Sequence, residues 1–243
     1  MKKIAALLLV FVMIFAFASC NKDKGGDETP KNEFDPAKKS EGVMTYDEYA
    51  AAALDAEVVI EGYVQAKQSW WNDKATIYLQ DPNGGYYVYE MICTEEQYNK
   101  LTVGTKIKVT GYKTEYHGEI EVDAGSTFEI VTDGTWVATP TDLTSLLGNE
   151  AELLKKQNIL ASFKGMTVKS VSYKGGEPGD DIYLTLTYNG ADYNFCVERY
   201  LTAPDTAVYQ TVGTLKAGDV IDVEGFLYWY DGINTHITNV VIK

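Results

Sequence analysis

Histidine is almost missing from this chain: of 243 residues, only His117 and His236 are histidine. They lie far apart, so no local spacing builds a histidine-based metal cluster or a Ser-His-Asp triad. The His-Glu-x-x-His, Gly-x-Ser-x-Gly, phosphate-loop and calcium-loop patterns are absent as well. The acidic loop "GGEPGDDI" presents Glu177, Asp180 and Asp181, a weak calcium set for which a solvated turn is the simpler account. Glu119 and Glu121, two apart, suggest an exposed strand face before a glycosidase pair. The expectation is a non-catalytic chain with no metal and no cofactor.

Cysteine and clustered positive charge are scarce too. Beyond Cys20 there are only Cys93 and Cys196, in different halves of the chain, which read as two unpaired buried thiols. Basic runs do not exceed the pairs Lys38-Lys39 and Lys155-Lys156, and the formal net charge is −14. Nucleic-acid affinity rests largely on Lys and Arg displacing counterions, so a phosphate polyanion is a disfavoured partner.

Only one long apolar run occurs, in "MKKIAALLLVFVMIFAFASC", where a short basic stretch precedes Ile4 to Phe17 and small residues precede Cys20. The run is short for a spanning helix, and its flanks fit an export signal. "FASC" resembles the lipobox of bacterial lipoproteins, with Phe17 where leucine is usual. The resemblance implies cleavage after residue 19, acylation of Cys20, and an extracytoplasmic protein held to a bacterial membrane by its lipid. Loss of Lys2 and Lys3 with the leader takes the formal charge from −14 to −16. Residues 20–43 are expected to be a disordered tether, polar from 21 to 42 with Phe34 the only bulky apolar side chain of that stretch.

What is abundant is tyrosine, 18 of them, within an internal repeat. "LTVGTKIKVTGYKTEYHGEIEV" from Leu101 matches "LKAGDVIDVEGFLYWYDGINTH" from Leu215 at an offset of 114 residues without a gap. Gly104, Gly111 and Gly118 fall on Gly218, Gly225 and Gly232, while Ile107 and Val109 fall on Ile221 and Val223. The alternation predicts a strand with one buried face, the mid-strand glycines a bend or bulge, and the last glycines tight turns. Upstream, each half has a long strand and a hairpin, followed by a connector that is about eight residues longer in the second half.

Each half thus reads as five strands with an insertion between the third and fourth, an order that resembles the OB-fold, a Greek-key barrel. "IYLQDPNGGYYVY" followed by "L-x-x-G-x-x-I-x-V-x-G" is similar to secreted OB-like modules of bacterial exoproteins, whose motifs carry the fold and no activity. The expected fold class is all-β: two tandem five-stranded OB-like Greek-key barrels, each with short helices, after the tether. Residues 44–132 form the first barrel, and 133–243 a linker helix plus the second. "TYDEYAAAAL" carries a capping box at Thr45 and Glu48; "TDLTSLLGNEAELLKK" offers two short turns broken at Gly148; Trp136 is placed as a wedge between the halves.

The candidate ligand-binding residues are aromatic: Trp70 and Trp71 in the loop "QSWWNDKA", Tyr87 and Tyr89 on the third strand, and Tyr116 and Trp229 at the two repeated hairpins. The alternative role for these rings is barrel filling and inter-barrel glue. On the third strand two parities stay open, one placing Tyr87, Tyr89 and Met91 inside and the other Tyr86 and Val88. The ligand expected is a glycan, peptide or protein; the alternative is a single-stranded nucleic acid.

Overall fold

The structure, a computed structural model, describes residues 34–243, and the lipobox around Cys20 lies outside the described residues. The first barrel comprises helix α1 (Tyr46–Ala51), β1 (Glu57–Lys67), β2 (Lys74–Asp81), β3 (Gly84–Ile92), helix α2 (Glu95–Lys100), β4 (Thr105–Tyr116), β5 (Glu119–Val122) and β6 (Thr127–Thr135). Its strands run in the order β1-β2-β3-β5-β4-β6, and β1 pairs with β4 to close the cylinder. β3 and β5 are parallel, whereas the other pairs are antiparallel. β5 and β6 together take the place of the fifth repeat strand. β4 pairs with β6 through Thr110 and with β5 from Lys113, so the hand-over falls at Gly111, where an added Cβ would lie 2.6 Å from Val122 Cγ1.

The second barrel follows the same path with β7 (Thr141–Asp142), a 3-10 turn at Thr144–Leu146, α3 (Glu150–Leu154), β8 (Leu160–Tyr173), β9 (Ile182–Tyr188), β10 (Ala191–Val197), α4 (Ala207–Thr214), β11 (Val220–Phe226) and β12 (Asn234–Ile242). Its order is β11-β12-β10-β9-β8-β7, β11 closes onto β8, and β10 and β12 are parallel. Both halves are therefore the OB-type Greek-key barrel that the repeat implies, and the longer second connector holds α4.

The repeat explains the cores. Ile107, Val109, Ile221 and Val223 are fully buried at equivalent places. Tyr49 from α1 joins the first core, while Leu153 from α3 and Tyr209 and Val212 from α4 join the second. The cap at Thr45 forms as a reciprocal box with Glu48. At the other end of α1, Lys113 Nζ donates to the carbonyls of Tyr49, Ala50 and Ala52 at 2.8–3.0 Å, placing a cation where the helix leaves acceptors unpaired. Cys93 and Cys196 are buried and unpaired.

On β3 both parities are partly right. Tyr86 and Val88 face the core, and so does Met91, because β3 carries one residue more than β2 between the pairs Ile77–Val88 and Ala75–Met91. The extra residue is absorbed at Glu90, whose φ is +42° and whose N–H donates to Thr76 Oγ1 at 3.1 Å. Tyr87 therefore turns outward, toward the second barrel.

Three expectations are corrected. The predicted tether ends sooner: Phe34 meets the Tyr63 ring edge-on at 6.3 Å, Lys39 pairs with Asp81, and buried Lys106 donates to Lys38 O at 3.0 Å. Trp136 packs on Tyr63 of the first barrel, with ring centroids 5.7 Å apart, and does not wedge between the halves. Glu119 and Glu121 are buried, because β5 lies against the second barrel and its outer face is no longer solvent.

An aromatic seam joins the barrels. Tyr78 stacks on Phe226 at 4.2 Å and 12°, Tyr87 meets Tyr228 at 5.3 Å, and Tyr228 stacks on His236 at 4.3 Å. Tyr78 Oη lies 2.9 Å from His236 Nδ1, and burial pushes this imidazole down to about 3, so it is neutral at ordinary pH. Around the rings, Gln80 Oε1 accepts from Leu160 N at 2.8 Å, Asn158 Nδ2 donates to Ile120 O at 3.1 Å, and Glu119 Oε2 accepts from Trp229 N at 2.8 Å. The repeated hairpin tips meet as well: His117 Nδ1 is 2.9 Å from Asp231 Oδ2, and Tyr116 lies 6.0 Å from Tyr230. Equivalent positions thus touch at these tips, whereas the ring seam sets β2 and β3 of the first barrel against β11, its following hairpin and β12 of the second.

Two measurements test this account. Gly225 sits at a register shift of the β11–β12 pair, and an added Cβ would lie 2.1 Å from His236 O. Gly225→Ala is expected to cost about 1–3 kcal/mol in urea unfolding, and an unchanged midpoint would refute the close approach. The second concerns pH. Burial, then Asp123, raises the Glu121 carboxyl to about 7, and burial likewise raises Glu119. Both exceed the unfolded value of 4.5, so their stabilising contribution is complete below about pH 4.5; that of Glu121 is lost as pH rises through about 7, and that of Glu119 as pH rises through its own raised value. The thermal midpoint should fall across that window, and Glu121→Gln should flatten part of the fall; identical profiles for the two proteins would contradict the assignment.

Candidate functional site

The docking of the barrels leaves a groove of about 730 Å³ beside the seam. One wall is the β1–β2 loop of the first barrel with the outer face of β3: Trp70, Trp71, Lys74, Tyr89 and Glu90. The other is β9, the end of β10 with its following turn, and the β11–β12 hairpin of the second: Tyr183, Glu198, Arg199, Tyr200, Tyr228 and Tyr230. Ser69 N donates to Tyr200 O at 2.8 Å and clamps the walls at one end.

The local sequence sets each ring. Trp71 and Lys74 exchange backbone hydrogen bonds across Asn72 and Asp73, whose φ angles of +49° and +57° are those of a type I′ turn. Trp71 is thereby held at the loop tip with 76% of its surface exposed. Trp70 points back: its Nε1 donates to Cys93 O at 2.8 Å, so it caps its own barrel and presents only part of its ring. The bulge at Glu90 leaves Tyr89 exposed on the groove wall. Across from it, Glu198 accepts from Tyr200 N and Leu201 N at 2.9 and 2.8 Å, fixing the turn that carries Arg199 and Tyr200.

Of eight exposed aromatic rings among the described residues, five line this groove: Trp71, Tyr89, Tyr183, Tyr200 and Tyr230. Exposed rings scattered singly are ordinary, but their convergence on one concavity makes it the candidate site.

The charges there are matched in pairs. Lys74 meets Glu90 at 2.5 Å, Lys174 meets Asp181 at 3.3 Å, and Arg199 lies 3.8 Å from Asp180 while its guanidinium covers the Tyr200 ring at 4.7 Å. Burial raises the Glu198 carboxyl to about 7. Asp180 and Asp181 also hold the loop itself, Asp181 Oδ1 accepting from Arg199 N at 3.1 Å and Asp180 Oδ1 from Asp181 N at 2.9 Å. The groove therefore has polar edges and flat rings, with no surplus of cations.

The sequence-derived candidates divide. Trp70, Trp71, Tyr87 and Tyr89 come together on the groove, Tyr87 buried at its floor as part of the seam. Tyr116 borders an adjoining cavity and not the groove itself. Trp229 is buried in the second core, with its edge against the Gly118 turn, and leaves the list of ligand-facing rings. Tyr183, Tyr200 and the Glu198-Arg199 turn were missed; for Tyr200 and the turn the one sequence signal was the extra length of the second connector, which begins "ERY", and Tyr183, on β9, carried none.

No known family model matches this chain, and no curated protein matches it in sequence. Solved structures that are similar include a murine DNA-binding protein bound to double-stranded DNA, at 11% identity and TM-score 0.37 over 76% of this chain and 94% of the other. The Ifi202 HINa domain in complex with double-stranded DNA is similar at 12% identity and TM-score 0.37, over 77% and 98%. A replication protein A heterotrimer bound to single-stranded DNA is similar at 13% identity and TM-score 0.33 over 80% of this chain; the match spans 51% of that chain, about half its length. No function of the present chain follows from likenesses of this degree.

Proposed function

We propose that this chain is a non-catalytic binding module of OB type that holds a glycan in the groove between its barrels, and that acylated Cys20 tethers it to a bacterial membrane. The convergence of five exposed rings on one groove carries the binding part. Sugar faces stack on tyrosine and tryptophan, and sugar hydroxyls are met by carboxylates and amides that need no net charge. OB barrels take oligosaccharides as well as oligonucleotides. Paired charges and a net charge of −14 disfavour a polyanion.

Single-stranded nucleic acid is the second reading, favoured by the same rings with Lys74, Lys174 and Arg199 at the rim, since bases stack on aromatic side chains as sugars do.

A polysaccharide and glycan-array panel, run beside single-stranded DNA at low and high salt, separates the two. Retention of a glycan is expected, with Trp71→Ala weakening it about tenfold, the scale of one lost stacking contact. Binding of DNA alone, falling steeply with salt, would replace the glycan reading with the second. For the anchor, the full chain expressed in bacteria should fractionate with membranes and Cys20→Ser should not; equal partition of the two proteins would remove the lipid from the proposal.

A further inference from the structure

A second cavity, of about 590 Å³, adjoins the groove and shares Tyr183, Tyr230 and Asn234 with it. Its floor is different in kind. Ser170 pairs with Thr185, Thr185 with Asn194, and Asn194 with Asn234, so four uncharged polar side chains form one row across β8, β9, β10 and β12. Residues paired in this way share a face, and with strands about 4.8 Å apart the row runs about 14 Å. Ser172, Tyr183, Cys196 and His236 form the next row, which leads into the aromatic groove.

The polar row is not consumed by the fold. The nearby side-chain bonds join Lys169 and Thr187 to Asp192, and leave Ser170, Thr185, Asn194 and Asn234 facing the cavity. Tyr116, reaching over from the first barrel, and Tyr230 border it. Lys174 is the one charged residue on the lining, and it is engaged by Asp181.

We infer that this row is a second subsite continuous with the aromatic groove, and that the ligand is a linear, uncharged oligosaccharide that crosses the strands of the second barrel past Tyr183 and Tyr230. The inference rests on the glycan reading and adds length and charge to it. Each cavity alone has the volume of a drug-sized ligand, so two in line fit an oligomer better than a single sugar. Hydroxyl and amide groups at strand spacing exchange hydrogen bonds with a neutral chain, and the cation described there, Lys174, already has Asp181 as its partner.

The experiment uses whichever neutral polysaccharide the panel retains, cut and fractionated into oligosaccharides of defined length, with titration calorimetry on the full folded region. Affinity for the wild type should rise with length and level off once both cavities are filled. Thr185→Ala/Asn194→Ala, whose melting curve checks that it is folded, should lose about tenfold for long oligosaccharides and nothing for short ones. Trp71→Ala should weaken both. An unchanged length dependence in the double variant overturns the second subsite while leaving the glycan reading intact. Failure of the wild type to retain any polysaccharide overturns both.

Discussion

The stack of Tyr78 on Phe226, with Tyr87, Tyr228 and His236 around it, is the contact on which the rest of the molecule depends. Rings of this size each remove roughly 150–250 Å² from water, and here they do so between two barrels joined by one linker. The seam also decides which polar groups are buried. Glu119, Gln80 and Asn158 would be solvated on an isolated barrel; docked, each finds a partner across the junction. A buried polar group costs more when unpaired than it gains when paired, so these bonds fix the mutual register of the barrels more than they add stability.

Duplication gave two similar barrels, but the seam divides their labour. Around Tyr78 and Tyr87 the outer face of β2 and β3 is covered by Phe226, Tyr228 and His236. The corresponding face of β9 and β10 is open and lined by cavities. One difference is a substitution at an equivalent place: Phe226 of the seam stands where the first half has exposed Tyr112. One backbone pattern thus supplies an adhesive face and a receptive one.

Much of this was legible in the residues. The offset of 114, the alternation of Ile107 with Val109 and Ile221 with Val223, and the glycines needed for bends and turns suffice for two barrels. The cap at Thr45 follows from local hydrogen-bond chemistry alone and forms as read. What escaped were consequences of one barrel meeting another. Glu119 and Glu121 look solvent-facing because alternation reports the side of a strand and not what lies beyond it. The parity of β3 was ambiguous because the bulge lies at Glu90, an unusual residue for a positive φ, where no glycine gives it away. Phe34, the single bulky side chain in a polar stretch, was itself the sign that the stretch ends against a surface. In the site, rings close in sequence were found, and Tyr183 and Tyr200 were not, since only docking brings them opposite Trp71.

The walls of the groove belong to different barrels, and the Ser69–Tyr200 clamp ties them at one end. Its width is therefore a property of how the halves are set against each other, in the way a vice opens with its jaws. Occupancy and cohesion of the halves are then thermodynamically linked: a molecule that bridges the walls tightens the union by the same free energy by which a firmer union strengthens its hold.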